Sequence, residues 1–162
     1  MNIQMEIYKN SLKLSDQQLV SIIKKARYIL SKTDLHKDTI TFNLGNMISD
    51  KNNNENVLAE LKKLINMSIY LVQSDKLDNI NFYMDTLFDE NSFKTMIFSA
   101  KLSGITNKIH IKAKNIKENS FAIDFPELNI EKCEKPDIIF EKRFILDRKQ
   151  EFIYWEDTKG EK

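Results

Sequence analysis

Three times before Gly104 the spacing of apolar residues changes from every second position to every third or fourth, and after it the change stops. A strand buries alternate side chains and a helix buries a stripe, so this switching sets the order of elements. Ile3, Met5 and Ile7 alternate with Asn2, Gln4 and Glu6 and predict a first strand. Leu19, Ile22, Ile23, Ala26, Ile29 and Leu30 then form one stripe of a helix over 15–32. Ser15 and Gln18 stand three apart at its start, the spacing of a capping box that satisfies free backbone donors.

The pattern repeats. Thr39 to Leu44 is β-prone and closes at Gly45, predicting a second strand. Asp50 to Glu55 is a polar loop rich in asparagine. Val57, Leu58, Leu61, Leu64, Ile65 and Val72 mark a second helix over 55–73. Met67, Ile69, Tyr70 and Leu71 make its later half apolar on most sides, which suits a central position or, alternatively, a partner groove filled by Met67 and Tyr70. Asn79 to Asp85 predicts a third strand. Ser92 to Ser103 predicts a third helix carrying Phe93, Met96, Ile97 and Ala100, and Gly104 sits where a left-handed residue ends it.

Beyond Gly104 the segments 107–114, 120–126, 128–134, 137–146 and 150–156 read as short strands. Alternation followed by a run of strands favours an α+β fold over a doubly wound sheet. The expected architecture is three helices packed on one face of a largely antiparallel sheet, with a β-rich C-terminal third. One domain over 1–156 and a flexible tail over 157–162 fit the length; a βαβ-like half carrying a β meander, divided near Gly104, is the alternative.

Composition removes several chemistries. The 162 residues include one cysteine and two histidines, which excludes an intramolecular disulfide and argues against a Cys/His zinc site. Three glycines, at 45, 104 and 160, cannot build a glycine-rich phosphate loop. No apolar run approaches the roughly 20 residues of a membrane helix. Met1 to Lys9 lacks the basic head and apolar stretch of a secretory signal, so a cytoplasmic protein is expected. Lysine outnumbers arginine 22 to 3, and isoleucine and asparagine are abundant, a skew that an AT-rich genome explains.

The net charge of +1 hides sorted blocks. Lys9 to Lys32 holds six basic residues and one acid; Asp75 to Glu90 holds five acids and one lysine. Residues 91–117 carry Lys94, Lys101, Lys108, Lys112, Lys114 and Lys117 and no acid, and 118–141 reverse the sign with seven acids against two lysines. Within the third block, Lys108, His110, Lys112 and Lys114 share one face of a strand, with neighbours about 6–7 Å apart. With Lys117 and Arg143 they form the candidate partner- or nucleic-acid-binding set, for which Phe121 and Tyr154 would be stacking platforms. The competing arrangement is a hairpin that pairs 111 with 123 and sets His110 opposite Asp124, leaving the stripe balanced within its own sheet.

Catalytic patterns are weak. Asp137, Glu141 and Lys142 resemble the PD-(D/E)xK nuclease pattern, but Asp137 and Glu141 share one strand face while Lys142 points the other way. Taking Asp124 as the first acid leaves Arg143 in the lysine position. Asp85, Asp89 and Glu90 supply three carboxylates for a metal, but Asp89 and Glu90 more simply flank the start of the third helix. Cys133 with His36 or His110 has no supporting context as a nucleophile–base pair, and Trp155 reads as core at the last strand. No cofactor or metal is expected.

The sequence therefore points to a non-enzymatic binding protein acting through a charge-sorted surface on a macromolecule, a protein more than a nucleic acid. An inhibitor, immunity or accessory factor of a phage, plasmid or AT-rich bacterium is the expected kind. A sequence-tolerant single-strand binder and a divalent-metal nuclease are the alternatives.

Overall fold

The structure, a computed structural model, describes residues 2–6, 15–45, 55–87, 91–116, 121–133, 142–147 and 152–157, the last two segments by backbone alone. Its elements are β1 (Asn2–Glu6), α1 (Asp16–Lys32), β2 (Asp38–Gly45), α2 (Glu55–Gln73), β3 (Leu77–Leu87) and α3 (Asn91–Leu102). A 3-10 turn (Thr106–Lys108) leads into β4 (Ile109–Ile116), followed by the short helix α4 (Phe121–Asp124), β5 (Asn129–Lys132), β6 (Lys142–Asp147) and β7 (Phe152–Asp157).

Local signals place the first elements as the sequence indicates. Ser15 caps α1: its hydroxyl accepts from the Gln18 amide at 3.1 Å, and the Gln18 side chain accepts from the Ser15 amide at 2.8 Å. Gly104 adopts φ +71° just past α3, where a side chain would strain the backbone.

The strands join in one seven-stranded sheet of order β5-β4-β3-β2-β1-β6-β7. This corrects the antiparallel expectation. Every pairing from β5 across to β6 is parallel, and β6 with β7 is the one antiparallel pair among the described residues. The reason lies in the crossovers: α1, α2 and α3 each return the chain so that the next strand starts beside the last and runs the same way. Nor are strands gathered in the C-terminal third. They alternate with helices from the start, and in the strand expected over 120–126 the described residues 121–126 form α4 and a turn.

Successive strands step in one direction from β1 to β4, so right-handed crossovers put α1, α2 and α3 on one side of the sheet, with α2 packed between its neighbours. Ile3, Met5, Ile40, Phe42, Ile80, Phe82, Ile109 and Ile111 point into that side and are buried. An aromatic chain ties the layers: Phe42 stacks on Phe82 at 5.5 Å, Phe82 meets Phe93 edge-on at 5.2 Å, and Phe93 reaches Phe121 at 5.9 Å. Each such ring contributes about 1.5–3 kcal/mol by leaving water. Among the described residues no helix is long and apolar enough to cross a membrane. Ile7, the asparagine loop over 50–54 and the tail beyond Asp157 lie outside the described residues.

Candidate functional site

The basic stripe divides. On β4, Ile109, Ile111 and Ala113 are buried toward the helices, whereas His110 and Lys112 are half-buried and Lys114 exposed on the other side. Lys108 is not on the strand; it ends the 3-10 turn, its amide donating to the Ile105 carbonyl at 2.9 Å. Arg143 lies on β6 level with Gln4, four strand spacings or about 19 Å from β4, so the sheet does not bring it to the stripe. Lys117 lies outside the described residues.

Parallel pairing gives the stripe new neighbours. Thr41, Asn81, His110 and Asn129 form one row across four strands, and Asn81 Nδ2 donates to Thr41 Oγ1 at 3.3 Å. Tyr83, Lys112 and Glu131 form the next row. Exposure rises toward the edge: Thr41 and Tyr83 are buried, His110 and Lys112 half-buried, Asn129 and Glu131 exposed. Lys112 Nζ lies 3.7 Å from Glu131 Oε1, and Lys114 Nζ lies 3.7 Å from Asp85 Oδ1. Pairs this exposed add about 1 kcal/mol or less to stability. Their larger effect is to cancel the positive charge that the sequence places on β4.

The hairpin setting His110 against Asp124 does not form, because β4 pairs with β3 and β5 instead. Asp124 sits on α4 and takes the ammonium of Lys94 at 2.9 Å. Phe121 is fully buried and offers no stacking platform; the Tyr154 side chain lies outside the described residues.

Of the residues weighed for catalysis, Asp89, Glu90, Asp137 and Glu141 lie outside the described residues, and so does the side chain of Trp155. Asp124 is not on a strand, and Asp85 faces Lys114. His110 is level with Asn129, four residues before Cys133, which puts the two about 13 Å apart along the strand direction. His36 is exposed and 3.0 Å from Asp34. Among the described residues no group of three or more histidine, cysteine or acidic side chains gathers as a metal site.

A surface that the sequence reading did not single out lies on α3. Phe93, Met96, Ile97 and Ala100 form its buried face. Phe98 and Leu102 stand on the opposite side, 48% and 74% exposed, one turn apart. They lie in a groove of about 520 Å³ whose lining includes Lys62 and Asn66 of α2 and Lys94, Lys101, Asp124 and Phe125. On the α2 side, Ser99 Oγ donates to Asn66 Oδ1 at 2.8 Å and fixes the two helices together. On the α4 side, Lys94 lies 5.5 Å above the Phe121 ring and Lys101 5.9 Å above the Phe125 ring. Lys94 is matched by Asp124, but no ion pair joins Lys62 or Lys101 to a carboxylate among the described residues. Tyr70, 64% exposed, follows Lys62 and Asn66 on the same face of α2, whereas Met67 packs against the core.

The signal for this surface was present. Phe98 and Leu102 break the stripe of α3, and Lys94 and Lys101 belong to the six-lysine run that lacks an acid. Compared with known proteins, the chain matches no family model, no curated protein and no solved structure.

Proposed function

We propose that this is a non-enzymatic binding protein that engages a macromolecular partner, a protein, through the α3 face. The observation that carries this reading is the pair Phe98 and Leu102, held in water beside two lysines that no described carboxylate matches. Exposed apolar side chains edged by polar and charged groups have the composition of an interface core and its rim. Lys112 and Lys114 each share their charge with a carboxylate, which weighs against a phosphate backbone along β4. A cytoplasmic inhibitor, immunity or accessory factor of a phage, plasmid or AT-rich bacterium fits a chain of this size and composition.

The test is affinity capture from extracts of the cells in which the gene resides, with and without nuclease, read by mass spectrometry. Wild type is expected to retain a protein that survives nuclease and is lost by the Phe98→Ser/Leu102→Ser variant. Capture that depends on nucleic acid, capture indifferent to the variant, or turnover of a small molecule with no macromolecule retained would overturn the reading.

A further inference from the structure

Resting on that reading, we infer that the α3 face takes an acidic amphipathic segment of the partner, its apolar side chains seated on Phe98 and Leu102 and its carboxylates meeting Lys62 and Lys101. Phe98 and Leu102 are one helical turn apart, so they rise about 6 Å along the axis. That is the pitch at which a second helix presents its own apolar residues, the geometry of helix-in-groove recognition.

Charge selects the sign of the partner. Among the described residues the groove is lined by three lysines and one acid, Asp124, which is already 2.9 Å from Lys94. Lys62 and Lys101 flank the ridge from α2 and from α3, so carboxylates on both margins of an incoming segment would each find a cation. A basic segment would meet three lysines against one described acid, Asp124, that Lys94 already engages. A nucleic-acid strand fits less well, because the two lysines lie on either side of an apolar ridge rather than in line along one groove. A membrane surface fits less well too, since Asn66, Thr95, Ser99 and Asp124 line the groove beside only two strongly exposed apolar residues.

The experiment uses the full chain and a fluorescein-labelled amphipathic peptide with leucines on one helical face and glutamates flanking them, read by anisotropy. Binding is expected for this probe, with affinity falling as salt rises. It should be at least about tenfold weaker for the same peptide with lysines replacing the glutamates, and about tenfold weaker for Lys62→Glu/Lys101→Glu. Phe98→Ser/Leu102→Ser should abolish it, with circular dichroism confirming that both variants fold. Equal binding of the two peptides, binding indifferent to these variants, or preference for single-stranded DNA or anionic phospholipid vesicles would overturn the inference. If cellular capture depends on Phe98 and Leu102 but the acidic peptide does not bind, the partner chemistry fails and the binding function stands. If capture is indifferent to those residues, the function assigned to this face fails as well.

Discussion

Lys94 and Asp124 join α3 to α4 by an ion pair of 2.9 Å, although the sequence places them in blocks of opposite charge thirty residues apart. Lys94 is mostly shielded and Asp124 about half-exposed, and the Lys94 ammonium also lies over the Phe121 ring, which itself is buried against Phe93. The pair therefore does two things. It pins a four-residue helix that has too few internal hydrogen bonds to hold itself, and it matches the acid that lines the groove beside Lys101 to Lys94.

A double-mutant cycle on Lys94→Met and Asp124→Asn, followed by urea unfolding, should give a coupling energy of about 0.5–1 kcal/mol, reduced in high salt. A coupling indistinguishable from zero at low salt would mean that Asp124 does not hold α4 in this way.

Glu60 on α2 is nearly buried and bridges to Arg27 on α1 at 2.9 Å and to Lys63 at 3.2 Å. Burial works to raise its carboxyl, but Lys63 and Arg27 outweigh burial and hold it below the ordinary value of 4.5. Because the folded value is the lower one, the stabilisation is complete above the unfolded value and disappears as pH falls through the folded value. Glu60→Gln should thus be destabilised relative to wild type at neutral pH, and the gap should narrow in acid. Urea midpoints measured at pH 7 and well below 4.5 check this; a gap that is constant with pH would contradict it.

Gly104 separates two possible causes of a loss. A Cβ built there meets nothing within 4 Å, so the only penalty for a side chain is the left-handed backbone. Gly104→Ala should cost about 1 kcal/mol, and Gly104→Asn clearly less because asparagine tolerates that conformation. Thermal or urea unfolding decides it, and equal losses for the two variants would point to a contact rather than to the backbone.

The elements themselves were legible because their causes are local. The Ser15–Gln18 cap, the stripes of α1 and α2 and the break at Gly104 depend on residues three or four apart, and the sequence displays those spacings directly. The core face of β4 was legible for the same reason: Ile109, Ile111 and Ala113 alternate. The α3 surface was half-legible, since its lysines stood out as an acid-free run while Phe98 and Leu102 went unread as exposed positions.

Strand direction was decided elsewhere. A period of two is the same whether a strand's neighbour runs with it or against it, so the pattern in 107–134 could not distinguish a hairpin from parallel partners. Pairing β4 with β3 and β5 moved Asp124 away from His110 and put Asp85 and Glu131 beside Lys114 and Lys112. The sequence by itself determined the order of the elements from β1 to α3 and the buried faces of α1, α2 and β4, where the spacing is local. Only the tertiary structure determined which charges meet, because that depends on contacts between segments far apart in the chain, and it left Lys62 and Lys101 without a described carboxylate beside the one exposed apolar ridge of α3.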